Sequence, residues 1–206
     1  MPTRYDKVGV HLIPTHNHKY SLQTFLRQRY PGVIQIEGIK SMDRLLFLEG
    51  QKLLQPLHVP AVTLLELSNW VEELPPAIVD ELAFYFNPCT VAPGTMIIQE
   101  GDSAAFFCLI CEGLVDVVKE AASGGLKLLQ TLGRGKAFGE IAFFDQGACS
   151  ANVIVKEKVT LLVMDQQKFD LLCKEKPYVG LLLTLKLIRM LTQRLRQTSN
   201  KLTDLL

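Results

Sequence analysis

The sequence predicts an α+β fold: an antiparallel β-roll flanked by helices, with a long C-terminal helix and an additional N-terminal segment. Three observations carry this. Between Thr90 and Met164 six short β-prone segments follow one another, each bounded by glycine or polar turns. Apolar residues at helical spacing occupy both flanks of that region. Long helices do not alternate with the strands, and the GxGxxxG spacing at Gly133, Gly135 and Gly139 departs from the GxGxxG dinucleotide fingerprint, so a doubly wound nucleotide fold is set aside.

Residues 1–60 form the N-terminal segment, of unassigned function. Lys7–Ile13 and Gly32–Ile39 have the β-branched content of short strands. Tyr20–Tyr30 reads as a basic amphipathic helix with Arg27 and Arg29, and Met42–Leu54 has apolar residues at helical spacing before Pro56 and Pro60 break the run. His16 and His18 flank Asn17 without a nearby cysteine or acidic partner, which suits a surface loop better than a metal site. Residues 61–206 form the main domain. In 61–87 the pattern is helical, divided by Pro75 and Pro76, since proline suits a first turn where its missing N–H is not needed.

The roll spans residues 90–165. Its expected strands are Thr95–Gln99, Ala105–Ile110, Leu114–Lys119, Leu126–Leu132, Ser150–Val155 and Val159–Met164. Helices return in 166–206: Gln166–Glu175 is stopped by Pro177, and Tyr178–Leu206 is one long run. With Leu181, Ile188, Leu195 and Leu202 at a, the d positions are Thr184, Leu191, Thr198 and Leu205. Six of these eight are apolar, a seam that predicts a homodimer through this helix. Leu182 and Leu185 are expected to pack on the roll instead, and Arg189, Arg194, Arg196 and Lys201 to form the solvated face.

Charge is nearly balanced, 22 basic against 21 acidic residues, so no strong field draws the chain to nucleic acid. No run approaches the roughly 20 apolar residues of a membrane span and no secretory signal opens the chain, which makes the cytoplasm the expected location. Five scattered cysteines argue against a disulfide framework. Cys108 and Cys111 form a C-x-x-C, but on a strand residues three apart face opposite ways, so neither a metal site nor a redox pair is expected from them. No nucleophile elbow, P-loop or HExxH motif is present, and the chain reads as a non-enzyme without a catalytic site or resident metal.

The most informative stretch is Gly133–Ala151, GRGKAFGEIAFFDQGACSA. A glycine followed by an acid and a short helical turn offers backbone N–H groups to an anion while the carboxylate takes a hydroxyl, a combination suited to a sugar phosphate. A glycine-rich hairpin connection with a solvated glutamate has the same spacing.

Phe138-Gly139-Glu140-Ile141-Ala142, followed by Ser150-Ala151, resembles the phosphate-binding cassette of cyclic nucleotide-binding domains. Leu132-Gly133-Arg134-Gly135, Pro93-Gly94, Glu100-Gly101-Asp102 and Glu112-Gly113 match that family's other landmarks in order, over about Leu74 to Leu206. The resemblance implies a β-roll in a regulatory module with a cyclic nucleotide, cAMP or cGMP, as ligand. It assigns Glu140 to the ribose 2′-hydroxyl, and backbone N–H groups near Gly139, Ile141 and Ala142 to the cyclic phosphate. It places Ser150 and Ala151 directly after a phosphate-pairing arginine. QTSNKLTDLL resembles the catabolite activator branch, whose C-terminal helix dimerises and helps read the base, with Thr198 and Ser199 at the base-contacting pair. That branch continues into a DNA-reading domain, for which no residues remain after Leu206, so no specific duplex DNA binding is expected.

The arginine position is Cys149, and a short, weakly donating thiol cannot replace a planar cation that forks onto phosphate. Three readings follow. One is a regulatory module with altered or weakened nucleotide binding that acts through dimerisation or a protein partner. Another is a working receptor with a substitute cation, for which Arg134 and Lys136 are the near choices. The last is a redox or haem sensor on the same scaffold, with Cys149 in its pocket.

Overall fold

The computed structural model describes residues 54–203 apart from Ala104 and residues 122–124. The strands, helix and histidine pair read before residue 54, and Leu205 of the seam, lie outside the described residues. Among the described residues seven antiparallel strands make the sheet: β1 (Leu54–Pro56), β2 (Asn87–Val91), β3 (Met96–Ile98), β4 (Phe106–Glu120), β5 (Leu126–Leu132), β6 (Ala137–Phe138) and β7 (Asn152–Asp165). The order is β1-β2-β7-β4-β5, with β3 also on β7 and β6 also on β4. Among the described residues five helices accompany it: α1 (Ala61–Leu67), α2 (Pro76–Ala83), α3 (Glu140–Asp145), α4 (Gln166–Glu175) and α5 (Pro177–Thr203).

Two long strands organise the roll. β7 pairs with β2 along Val159–Val163 and with β3 at Val153 and Ile154. β4 pairs with β6 at Cys108 and Leu109 and with β5 from Val115 to Glu120. The sequence divides each long strand in two, at Glu112-Gly113 and at Lys156-Glu157-Lys158; the structure corrects this, because both strands run through. Gly113 is not a hairpin turn. It sits at φ +83°, and a Cβ there would lie 2.1 Å from the Lys158 carbonyl oxygen of β7. The β4–β7 register shifts between Ile110 and Val115 around it, so the glycine lets the paired strands bend together without separating.

Alternation along β4 sorts two cores. Phe106, Cys108 and Ile110 enter the roll with Val91, Ile97, Phe138, Val155 and Leu161. Phe107, Leu109 and Cys111 face the helices, against Leu65, Leu82, Phe143, Leu162, Leu183 and Leu187. Cys108 and Cys111 are thus in different cores, as period two requires. Burial pushes the Cys111 thiol up to about 12, with Arg134 opposing, and raises Cys108 as well.

Asp165 accepts from the Lys168 N–H at 2.8 Å and caps α4, and the Lys176–Pro177 break starts α5. On α5, Val179, Leu183 and Leu187 are the hydrophobic side chains buried on the roll. Leu185, expected there, is exposed on the opposite face. Leu181, Ile188, Leu195 and Leu202 are 47 to 67 % exposed.

Substituting Gly113→Ala should destabilise the fold by more than about 1 kcal/mol, because the added Cβ meets backbone at an unfavourable φ. The urea unfolding midpoint should fall; an unchanged midpoint would show that β4 and β7 have slack at this bend.

Candidate functional site

The cassette hangs between strands. β6 places Phe138 beside Cys108 of β4, and Gly139 follows at φ +84°. A Cβ on Gly139 would lie 2.9 Å from the Phe106 carbonyl oxygen, so the chain turns into α3 against β4 only with glycine here. The Phe143 N–H donates to the Gly139 carbonyl at 3.1 Å and closes the short helix. Helical φ/ψ then splits α3: Glu140, Ala142 and Phe143 turn inward, Ile141 and Phe144 outward. Phe143 packs edge-on against Phe107 and Phe169, within the helix-facing core. Neither phenylalanine enters the roll.

Cys149 is fixed by backbone. Its N–H donates to the Asp102 carbonyl at 2.7 Å, and the Gly101 N–H donates to the Cys149 carbonyl at 2.9 Å. This is the structural use of the Gly101-Asp102 landmark. The Cys149 side chain is 6 % exposed and belongs to the roll core with Phe138, Ala142 and Val153. Ala151 is buried beside it and Ser150 is exposed. The Ser150 carbonyl accepts from Lys119 Nζ at 2.8 Å, and the Glu100 N–H donates to Asn152 Oδ1 at 3.0 Å.

Glu140 is 2 % exposed, so its carboxylate requires a partner. Arg194 of α5 supplies it: Nη1 donates to Glu140 Oε1 and Nη2 to the Ala137 carbonyl. The expected solvated face is therefore corrected at Arg194, whose side chain is only 22 % exposed. Arg189 and Arg196 remain on the exposed surface, and Arg189 lies 3.9 Å from Glu73. Burial raises the Glu140 pKa, opposed first by Arg194 and then by its own backbone N–H.

Thr198 lies one turn beyond Arg194 on the same helix face, with Ser199 next to it, and both are exposed. Helical spacing from Thr198 was the signal that could have pointed to Arg194. The same helix ties back to the segment before the roll, since Lys186 Nζ lies 5.6 Å from the Trp70 ring centroid and 3.8 Å from Glu73. Arg134 is turned away from the cassette, its Nε donating to the Cys111 carbonyl at 3.2 Å beside a groove also lined by Leu57, Leu64 and Lys158. Lys136 is exposed. Among the described residues, no group of three or more His, Cys, Asp or Glu side chains is placed to hold a metal ion, and no helix is long and apolar enough to cross a membrane.

A buried carboxylate behind a glycine-held turn, on an antiparallel roll closed by a long helix, defines the class. Residues 88–176 match the family model of the cyclic nucleotide-binding domain. The chain is 27 % identical over 131 residues to the CRP-like cAMP-activated global transcriptional regulator of Mycobacterium tuberculosis, covering 64 % of this chain and 57 % of the relative. It is 30 % identical over 133 residues to the cyclic AMP receptor protein of Thermus thermophilus, covering 65 % and 59 %. Its match thus spans under two thirds of either regulator's length. Among solved structures it is similar to a cyclic nucleotide-binding domain from Methylobacillus flagellatus, with TM-score 0.73 and 21 % identity over 79 % of this chain and 95 % of that one.

Removing the guanidinium in Arg194→Met takes away the main influence that lowers the Glu140 pKa, so the carboxyl should titrate higher still than in the parent. Carbon-detected NMR of labelled glutamate reads this directly; an unchanged or lower value would show that Arg194 does not face the carboxylate in solution.

Proposed function

We propose that the domain is a regulatory module that binds a cyclic nucleotide, cAMP or cGMP, more weakly than a cassette bearing the arginine. The observation that supports this is Cys149, fixed by backbone bonds to Gly101 and Asp102 at the position that the resemblance gives to the arginine, in a loop that retains Gly139, Glu140 and Ser150. Glu140 offers the ribose acceptor, and Arg194 pairs with that carboxylate and opposes the rise in its pKa that burial causes. Position 149 offers no cation. A hydrogen bond to a charged group contributes about 1.5–3 kcal/mol, which is roughly ten- to hundredfold in affinity.

The output of the module is contact with another chain rather than catalysis. The exposed row Leu181, Ile188, Leu195 and Leu202 supports a homodimer through α5, and the two relatives to which the chain is similar bear the names of a transcriptional regulator and of a receptor rather than of a reaction. The altered-binding reading is favoured over a haem or redox sensor because Cys149 is packed among apolar core residues.

Calorimetric titration with cyclic AMP and cyclic GMP tests the binding. The parent should bind weakly, Cys149→Arg should tighten binding ten- to hundredfold, and Glu140→Ala in that background should weaken it again. Equal affinity in parent and Cys149→Arg would contradict the reading. For the dimer, Leu195→Glu places a charge in the seam and should give monomers by light scattering with the roll still folded; a monomeric parent would remove the proposal.

A further inference from the structure

The geometry points to Lys119 as the cation that meets the ligand's phosphate in place of the absent arginine, an inference that rests on the cyclic nucleotide reading of the cassette. β4 alternates, and Val115 and Val117 pack on the roll-interior core. Lys119 is the next residue on that face, at the end of the strand where the roll opens. Its Nζ donates to the Ser150 carbonyl, one residue past Cys149, at 2.8 Å. The ammonium therefore already sits on the turn from which an arginine at 149 would have extended.

Both arginines that could have served are engaged elsewhere, and Lys136 is exposed on the surface. Arg194 holds Glu140 and the Ala137 carbonyl, and Arg134 holds the Cys111 carbonyl. Lys119 is loosely held by comparison: its side chain is 47 % exposed and 3.5 Å from Glu100 Oε1, an ion pair of small worth in solvent. Glu100 does not depend on it, because Glu100 Oε2 accepts from the Glu120 N–H at 3.2 Å and its backbone N–H donates to Asn152. The lysine can thus rotate from Glu100 toward an anion without unbuilding the rim. The Glu100 carboxylate remains a neighbouring negative charge that opposes the anion. A lysine is also a point charge where arginine is a fork, so it would restore part of the lost affinity and not all of it.

Calorimetry with cyclic AMP on the full chain, in two backgrounds, tests this. In the parent, Lys119→Met should weaken binding about tenfold, while Lys119→Arg retains it. In the Cys149→Arg background, Lys119→Met should change affinity by less than about threefold, since the phosphate then has its arginine. Equal affinity of the parent and Lys119→Met overturns the proposal. So does an equal loss in both backgrounds, which marks a purely structural lysine. Binding by Cys149→Arg with none by the parent also overturns it, while leaving the cassette reading intact; absence of binding by both defeats that reading as well.

Discussion

The antiparallel pairing of β4 with β7 is the constraint on which the remaining structure depends. It sets the distance between the two ends of the cassette, because β6 enters on β4 at Cys108 and Leu109 while β7 leaves at Asn152. The same pairing separates the roll core from the helix-facing core, so the face of each β4 residue decides which ligand or helix it can meet. Gly113 and Gly139 are the two points where this arrangement allows no side chain: one faces the Lys158 carbonyl, the other the Phe106 carbonyl. A loop suspended this way is held in position by strands. Its binding chemistry therefore depends on which side chains project from it and which reach it from elsewhere.

Charge is where this chain departs from the pattern that it resembles. The acid of the cassette, Glu140, is present and buried, and its partner comes from α5, so the long helix is bonded to the cassette and not merely packed near it. That helix also meets Trp70 and Glu73 through Lys186. One element thus touches the cassette, the helices preceding the roll and, through its exposed leucines, the surface available to a second chain. Glu140 and Arg194 are paired directly, and the helix that carries Arg194 is packed through Val179, Leu183 and Leu187.

Much of this was legible in the sequence because it is local. The end of α4 follows from Pro177 as stop, and the cassette from a run of adjacent residues. The separation of Cys108 from Cys111 follows from period two alone. What failed was non-local. Gly113 reads as a turn because a positive-φ glycine in a bending strand leaves the same trace as one in a hairpin. β1 and β6 are too short to carry a period. Arg194 looked like one of several surface cations, since its partner lies 54 residues away in the chain, and Lys119 is 31 residues from Ser150. Leu185 was expected on the buried side, whereas the observed stripe follows Val179, Leu183 and Leu187.

The central claim is that a cyclic nucleotide is received by this cassette, and backbone NMR during a cyclic AMP titration tests the place of binding most directly. The account predicts saturable shifts in the amides of Gly139 to Ala142 and of Ser150, with Arg194 following as Glu140 takes the ribose. Shifts confined to the groove lined by Leu57, Leu64 and Arg134, or none at millimolar nucleotide, would contradict it.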